Sequence, residues 1–507
     1  MNSRLRLPAL LFLGSLLMQT AWILALPPFR GSDEFDHAYK AAAVAGGQWS
    51  PSSHEAKDGR GDLLVVPRSI VEAASLICRS YKYTGHDNCH PVEGVGADNV
   101  TVASAAARYN PVFYWIIGTP AIPFDGAHAL YVMRIVGAIL CSAFIALAGW
   151  TLSLWARTRW PFVASLVAMT PVLIYSTAVA APNGLEMCAA LALWAVVLGL
   201  ARPNLSREVQ TTLLYAAIPS AVVLAGVRTM GPLWVVLIVI SGLALVGLED
   251  AKTLGRRHGR QLVVVSTVIT VATFASIWWI LEAAPNKLEG QTTFPDPLAN
   301  TLPFLPLWLF QSIAAFPLRN EVAPTIVYAT ELFLFLVMIG AGFRLARRRL
   351  RLAIAGTMLF AIGVPFVLTL MTYSHAGPIW QGRYGMPYSV GVILLAGLAL
   401  EEADIRHRLI GPVLLAGWAA LVVAQSVGVA NVLVQERLHS PLSGDSSWMM
   451  PQPWMVVALV ILGAACWSES IRRRSLSNRP APMAELEHAS VDEPPVPPLP
   501  RSLNTVV

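Results

Sequence analysis

Charged residues are scarce in this chain. They make up 13% of its 507 residues, whereas soluble domains carry about 25%. Hydrophobic residues make up 55%. A chain this long and this apolar is predicted to be a multi-pass membrane protein. The net charge of +6 does not indicate a nucleic-acid partner, because what matters in such a chain is where the basic residues lie.

Cysteine is scarce too, with five residues. The sequence has no CxxC or His/Cys pattern that would indicate zinc. Three cysteines lie in predicted membrane helices, where the residue is usually a small core side chain. Cys78 and Cys89 lie in a long loop predicted to be outside the cytoplasm, where a disulfide can form. We expect that disulfide, with two free thiols as the alternative.

Long apolar runs recur along the chain. Runs of roughly 17–25 residues mark helices that can cross a bilayer. Twelve spans are predicted in this way: Leu7–Leu26, Ala129–Trp155, Trp160–Ala180, Gly184–Leu200, Leu213–Val227, Pro232–Leu248, Leu262–Leu281, Pro324–Phe343, Leu352–Tyr373, Tyr384–Leu400, Leu409–Ala430 and Met450–Trp467. The predicted fold is therefore an all-α membrane protein with about twelve transmembrane helices. The first run lacks a clear cleavage site, so we expect it to be retained.

Lysine and arginine are distributed unequally over the connections between these spans. With a cytoplasmic N-terminus, the cytoplasmic connections carry eighteen of them and the short outer connections carry five. Cytoplasmic loops of membrane proteins are enriched in positive residues. The sequence therefore predicts that both termini are cytoplasmic.

Three regions stand apart within the predicted membrane domain, residues 1–471. Residues 27–128 form a large outer loop, in which amphipathic stretches such as Ser69–Leu76 predict folded structure and interfacial helices lying on the membrane. Residues 282–323 form a second outer loop, whose proline-interrupted run Leu302–Leu318 is predicted to be re-entrant or interfacial. Residues 472–507 are polar and proline-rich, which predicts a disordered cytoplasmic tail.

An acidic cluster follows the first span directly. It contains Asp33, Glu34, Asp36 and His37, which we take as catalytic candidates. On a helix, the first, third and fourth of these residues share one face. Such a face could hold a divalent cation such as Mg or Mn, or let one carboxylate act as a general base. The alternative is a solvated helix start, where acidic residues interact favourably with the helix dipole.

A second group lies at the predicted outer mouth of a late span. An arginine beside a glycine suits a phosphate, because the backbone can approach the ligand closely there. Aromatic residues at this depth suit sugar or lipid-headgroup contacts. The alternative is an ordinary aromatic belt with a snorkelling arginine. The substrate-binding candidates are His375, Trp380, Gln381, Arg383 and Tyr384.

Further polar residues lie near predicted outer helix ends. An ionisable residue just inside a membrane is a functional candidate by default, although for each residue alone a structural ion pair is the more ordinary explanation. The substrate-binding candidates of this group are Arg108, Asn110, Tyr114, Asn183, Glu186 and Arg228.

These motifs together resemble a known family. The pattern is Pro27-Pro28, then Asp33-Glu34-x-x-His37, then Asn110-Pro-x-x-Tyr114, then Gln381-Gly-Arg-Tyr384 with Pro387. It is similar to a bacterial domain-of-unknown-function family of multi-pass membrane proteins that is grouped with the GT-C glycosyltransferases. The resemblance covers roughly Leu7 to Trp467.

The resemblance implies a GT-C fold in a bacterial cytoplasmic membrane, with the active site on the extracytoplasmic face. Such enzymes take a sugar from a polyprenyl-phosphate donor and pass it to an envelope glycan or lipid acceptor. By analogy, Asp33 or Glu34 would deprotonate the acceptor hydroxyl, and Arg383 would hold the donor phosphate. Inversion at the anomeric carbon is expected. Asp36 leaves the identity of the base open, and dependence on a divalent cation is also open.

Two other functions are open from the sequence. The first is a transporter or flippase of a lipid-linked glycan, which should carry ionisable residues near the midplane of several helices. The predicted spans contain few such charges, which favours an enzyme acting at the membrane interface. The second is a non-catalytic scaffold in an envelope-assembly complex.

Overall fold

The computed structural model describes residues 3–50, 54–202, 205–283, 296–403 and 407–477. Within these ranges the chain forms a helical membrane domain and a small mixed unit inserted after the first helix. The first helix is α1 (Ser3–Ala25). The predicted multi-pass helical membrane fold is confirmed.

The inserted unit contains a sheet that was not predicted from the sequence. In the sheet β3 is central, and β1 and β2 pair with it antiparallel on either side. The all-α description therefore applies to the membrane domain and not to this unit. Its elements are α2 (Glu34–Ala45), β1 (Asp62–Pro67), α3 (Arg68–Arg79), α4 (His86–Cys89), β2 (Glu93–Val95), β3 (Asn99–Ser104) and α5 (Pro111–Gly118).

The amphipathic helix α3 was expected to lie on the membrane. Instead, its apolar residues Ile70, Val71, Ala74 and Ile77 are buried inside the protein. The helix packs on the following long helix, α6 (Gly126–Trp155). The apolar stripe is thus satisfied by protein contacts, so the interfacial prediction is wrong for this helix.

The remaining helices build the membrane domain. They are α7 (Trp160–Ala168), α8 (Pro171–Thr177), α9 (Asn183–Leu200), α10 (Arg207–Val227), α11 (Gly231–Leu243), α12 (Leu248–Glu282), α13 (Pro297–Thr301), α14 (Phe304–Ile313), α15 (Thr325–Leu345), α16 (Arg348–Ala376), α17 (Gly382–Glu402), α18 (His407–His439) and α19 (Pro453–Ser477).

Ten helices of the described part are long and apolar enough to cross a membrane. The predicted span Trp160–Ala180 is broken, because α7 and α8 meet at 70°. Pro171 cannot donate a backbone hydrogen bond to α7, and Thr170 caps the new helix by accepting from Leu173 N. The predicted span Pro232–Leu248 is a shorter apolar helix, α11.

Two helices, α9 and α17, form the buried centre of the membrane domain. They approach closely, since a Cβ built on Gly391 would lie 2.1 Å from the Trp194 ring. Helices α12, α15 and α16 are mostly exposed along their apolar length. A polar environment would not tolerate such surfaces, so these helices face the lipid.

The predicted second outer loop contains two short helices, α13 and α14, and neither is long enough to span a membrane. Residues 284–295 of this loop lie outside the described residues. The predicted tail begins inside α19, which continues to Ser477. The rest of it, from residue 478, lies outside the described residues.

The two ends of α17 carry different charged residues, which relate the helix to the predicted sides of the membrane. Glu401 and Glu402, near its C-terminus, pair with Arg202 and Arg347, which were predicted to be cytoplasmic. Arg383 is near its N-terminus, so it lies at the other end, about 27 Å away at 1.5 Å per residue. The site described next is therefore at the predicted outer end of the helices.

Candidate active site

A cavity of about 570 Å³ lies between the inserted unit and the start of α17. The turn from α1 to α2 lines one side, and the loop before α15 lines another. Eight residues predicted to form a site line this cavity; six of them are Asp33, Asp36, His37, Asn183, Arg228 and Arg383. Gln381 and Tyr384 also line it.

Asp33 and Arg383 contact each other in this cavity. Arg383 Nη2 lies 3.3 Å from Asp33 Oδ2 and donates to Ser32 Oγ at 2.9 Å. Asp33 precedes α2 with a left-handed backbone (φ 56°, ψ 18°), which aspartate tolerates better than most residues. Because of this conformation, the Asp33 side chain points in a different direction from the side chains of the helical residues that follow it.

The turn that carries Asp33 is held by Tyr175 of α8. The Tyr175 hydroxyl accepts a hydrogen bond from Ser32 N at 3.0 Å and donates to the Pro317 carbonyl at 2.6 Å. One tyrosine therefore links the turn after α1 to the loop after α14. The bent α7–α8 pair has a positioning role here that its apolar sequence did not reveal.

Asp36 is buried at the edge of the cavity. Its Oδ1 accepts from Ala105 N at 2.7 Å, and its Oδ2 accepts from Arg60 Nη2 at 3.2 Å. Burial raises the pKa of Asp36 to about 7, although the nearby Arg60 charge opposes the shift. Asp36 thus joins α2 to the segments around the sheet.

His37 is held in a cluster of aromatic rings. Its Nδ1 is 2.8 Å from the Tyr114 hydroxyl, and its ring is stacked with those of Tyr109 and Tyr114. Burial lowers the pKa of His37 to about 3; Asp33 opposes the shift and Arg228 reinforces it. The imidazole is therefore neutral at physiological pH. Tyr114 positions His37 and does not line the cavity.

Glu34 does not lie in the cavity, so the structure contradicts its assignment as a candidate base. Its two carboxylate oxygens accept hydrogen bonds from Arg134 Nε and Nη2 at 2.7 and 2.6 Å. Both side chains are fully buried. Ala180 N also donates to this carboxylate. Glu34 is thus one half of a buried ion pair that fastens α2 to α6.

The predicted metal site at Asp33, Asp36 and His37 does not fit the structure. Among the described residues, no three His, Cys, Asp or Glu side chains are grouped to hold an ion. The three side chains are instead engaged by Arg383, Arg60 and Tyr114, respectively. Helical spacing alone predicted a shared face, whereas the left-handed Asp33 breaks the helical register.

The residues of the Gln381–Tyr384 motif line two separate cavities, one polar and one apolar. Gln381, Arg383 and Tyr384 line the polar cavity, while Trp380 and Gly382 line a separate apolar cavity. The glycine was expected to admit a phosphate, but a Cβ there would lie 2.0 Å from the Trp308 carbonyl. Gly382 therefore permits close packing of α14. The side chain of His375, a further candidate, lies outside the described residues.

Arg228 is a second cation of the cavity. Its guanidinium lies 4.5 Å from the Tyr384 ring centre, and Nη1 is 3.7 Å from Glu186 Oε2. Arg383 lies 5.5 Å from the same ring. Tyr384 is therefore in contact with both arginines. Glu186 is buried behind Arg228 and does not line the cavity.

Arg108 and Asn110 lie outside this cavity. Arg108 makes a two-pronged ion pair with Asp62, and the Asn110 side chain caps α5 by accepting from Val112 N. Both residues line a neighbouring cavity. The structure therefore separates them from the candidates of the first cavity, apart from Arg228, which lines both cavities.

The charges around the cavity are mostly positive. The cationic side chains in its lining are Arg60, Lys82, Arg228, Arg319 and Arg383, and the acidic ones are Asp33, Asp36 and Glu321. In the described part of the chain, Arg383 Nε and Gln381 Oε1 are buried without a hydrogen-bond partner. An unsatisfied buried donor on a charged group is costly. The arrangement fits an anionic ligand that accepts from Arg383.

The inserted unit is fastened by a disulfide. Cys78 and Cys89 are bonded, with their Cα atoms 5.4 Å apart. The bond joins the end of α3 to α4, below the segment Tyr81–Tyr83 that lines the cavity. It is the pairing expected from the sequence.

Residues 16–392 match the profile of a family described as a predicted membrane protein, DUF2142. This is well over half of the chain. The chain belongs to the DUF2142 family. The predicted membership of a domain-of-unknown-function family of membrane proteins is thereby confirmed.

The chain is also similar to a solved structure, the crystal structure of ArnT from Cupriavidus metallidurans bound to undecaprenyl phosphate. The identity is 14% and the TM-score 0.44, over 90% of this chain and 76% of that chain. Among curated proteins, none matches this chain. The site is therefore interpreted from its own residues.

The DUF2142 match includes every residue that lines the cavity. Several of these were missed in the sequence, among them Arg60, Tyr83 and Arg319. Arg60 stacks on Tyr83 at 4.5 Å. Arg30, which pairs with Glu321 at 2.6 Å beside the cavity, was also missed, although it lies three residues before Asp33. The signal that could have indicated Arg30 was its positive charge close to the acidic cluster.

Proposed function

We propose that this DUF2142 protein is a cell-envelope glycosyltransferase of the inverting GT-C type. It moves a sugar from a polyprenyl-phosphate donor to an extracytoplasmic glycan or lipid acceptor. The observation that carries the proposal is the contact of Asp33 with Arg383 in a cationic cavity beside a membrane helix. A carboxylate and a phosphate-binding cation within one cavity are the two groups that an inverting displacement needs.

Asp33 acts as the general base in this proposal. The acceptor oxygen attacks the anomeric carbon while its proton passes to the Asp33 carboxylate. The bond between the anomeric carbon and the phosphate oxygen breaks, and the polyprenyl phosphate leaves with the electron pair. Asp33 is suited to this role because its side chain is about one third exposed, whereas Glu34 is sealed in its pair with Arg134.

Arg383 holds the donor phosphate. A guanidinium matches phosphate oxygens with several parallel donors. Nη2 already contacts Asp33 and Ser32, while the buried Nε lacks a hydrogen-bond partner. Arg228, which contacts the same Tyr384 ring as Arg383, adds positive charge where the leaving group develops negative charge.

An apolar cavity of about 200 Å³ suits the isoprenoid chain of the donor. Its lining includes Trp308, Pro365, Trp380, Gly382 and Met386. Because the motif at the start of α17 lines both cavities, the polar and apolar sites are separated by a single turn of backbone. A lipid phosphate with its head on Arg383 would place its first isoprene units in this cavity.

The test uses purified protein in lipid nanodiscs with a panel of radiolabelled polyprenyl-phosphate sugars and extracted envelope glycans. We expect label to pass to the glycan fraction, with release of polyprenyl phosphate. No transfer from any donor, together with movement of the intact lipid across vesicle membranes, would contradict the proposal and favour a flippase.

A further inference from the structure

A second cavity of about 310 Å³ adjoins the active-site cavity. It lies between the end of α10, the outer end of α12 and the segment that follows β3. Tyr109 and Arg228 line both cavities. A ligand in the second cavity would therefore touch the same two side chains as a ligand in the first.

The second cavity presents two aromatic side chains, Tyr109 and Trp279, and the amide of Asn110. Trp279 is half-buried in its wall, and its indole N–H donates to the Arg108 carbonyl at 3.2 Å. Asn110 lies beside it, with its carbonyl oxygen used to cap α5. Large apolar rings combined with a few fixed polar groups are typical of small-ligand sites. An indole face next to an amide suits a sugar ring, which has an apolar face and a hydroxyl-bearing edge.

The position of this cavity also indicates how its ligand arrives. Ser276, Trp279 and Ile280 of α12 line it. Phe274 and Trp278, on the same helix, are 65% and 62% exposed and face outward. The helix thus has lipid on one side and the cavity on the other. A ligand attached to the membrane lies within reach of a cavity beside this lipid-facing helix.

We propose that this second cavity is the acceptor site and that it binds the carbohydrate part of a membrane-attached glycan. The acceptor hydroxyl then enters the active-site cavity past Tyr109 and Arg228. Arg228 lies 3.7 Å from Glu186, longer than a charge-assisted hydrogen bond, so its contact with Glu186 does not tie it tightly. This inference rests on the proposed function, because it assigns the second substrate of the same reaction.

Two changes test the cavity without touching Asp33 or Arg383. Trp279→Ala removes the ring, and Trp278→Ala is its matched control because Trp278 faces outward. Gly226→Met fills the cavity, because a Cβ at Gly226 meets only Ser276 Oγ, at 3.7 Å. Gly255→Met, at an exposed glycine of α12 whose Cβ would meet nothing within 4 Å, is the control for the second change. If Trp279→Ala does not fold, Gly226→Met still tests the proposal.

The first measurement is binding of the nanodisc protein to an array of envelope-type oligosaccharides without donor. We expect the wild type and both controls to bind a common set, with at least a tenfold loss for Trp279→Ala and Gly226→Met. Equal binding by all variants, or no binding by the wild type, would overturn the acceptor assignment.

The second measurement separates this inference from the proposed function. Release of polyprenyl phosphate from the donor in the absence of glycan reports attack by water. We expect Trp279→Ala to keep this release and to lose transfer to glycan. Loss of transfer and release in equal proportion would overturn the acceptor assignment. Absence of both in the wild type, with glycan binding intact, would instead count against the proposed function.

Discussion

Arg383 Nη2 and Asp33 Oδ2 lie 3.3 Å apart, although 350 residues separate them in the chain. Asp33 is on the turn after the first membrane helix, and Arg383 begins a central one. Each charge is partly satisfied by the other before any ligand enters. A phosphate that displaces the carboxylate from Arg383 would free Asp33 to accept a proton.

This pairing gives an expectation for Asp33→Asn. Transfer should fall by about 10²–10⁴-fold, because a general base is lost. Binding of polyprenyl phosphate should persist or increase, because Arg383 no longer pairs with a carboxylate. Transfer rates and native mass spectrometry of lipid-bound protein measure the two effects. Asp58→Asn, an exposed aspartate of the same loop, is the control, and transfer near the wild-type rate in Asp33→Asn would refute the assignment.

Arg383→Ala should weaken donor binding and turnover together. The charge-assisted contact to phosphate is lost, and such contacts are roughly twice as strong as neutral ones. Arg383→Lys should recover part of the binding, because it restores the charge without the planar fork. Polyprenyl-phosphate titration monitored by native mass spectrometry checks this order. Arg437→Ala, away from the cavity, should bind like the wild type; an unchanged affinity in Arg383→Ala would exclude a phosphate role.

Glu34→Gln should destabilise the protein rather than act on the chemical step. Removing one partner of a buried ion pair leaves an uncompensated charge and costs about 3–5 kcal/mol. The Arg134 guanidinium, fully buried, would be that charge. Thermal unfolding in detergent measures the loss, with the exposed Glu72→Gln as control. A stable Glu34→Gln variant that has lost transfer would restore Glu34 as a candidate base.

The stability of the inserted unit should depend on pH through two opposing groups. Burial raises the pKa of Asp36 from 3.8 to about 7, against the opposing charge of Arg60, so this carboxyl contributes stability at low pH that is lost as pH rises through 7. Burial lowers the pKa of His37 from 6.5 to about 3, so this imidazole contributes stability above pH 6.5 that is lost as pH falls toward 3. Between pH 3.8 and 6.5, the stability lost through Asp36 and the stability gained through His37 as pH rises largely cancel.

Single substitutions should separate these contributions. Asp36→Asn should become more stable as pH rises over this range, and His37→Gln should become less stable, each by about 1.4 kcal/mol per pH unit. Thermal unfolding across pH, or hydrogen exchange of α2, measures both slopes. Identical slopes in the two variants would contradict the opposed shifts.

Removing the disulfide should loosen the inserted unit. The bond joins residues 11 apart in sequence, and closing so short a loop stabilises by about 2–3 kcal/mol in the entropic model. The double variant Cys78→Ser with Cys89→Ser should therefore unfold at a lower temperature. Cys141→Ser is a control, since this buried cysteine is free. Intact mass after alkylation checks the bond itself, and two alkylated thiols in the wild type would disprove it.

Much of the fold was predictable because membrane crossing depends on local properties. Length and apolarity of a run decide whether it can span a bilayer. The break at Pro171 and the strands of the inserted unit were not predicted. Both depend on neighbours, since the strands pair with each other and the bent helices pack around Tyr175.

The sequence by itself determined the membrane class, most of the spans and the acidic and arginine motifs from which the site is built. Tertiary structure decided which acid lies in the cavity. Asp33 and Glu34 are adjacent and chemically alike, but a left-handed backbone directs Asp33 toward Arg383, while Glu34 enters the helix and is buried against Arg134. The partner that each carboxylate meets comes from a distant part of the chain, and only packing brings it there.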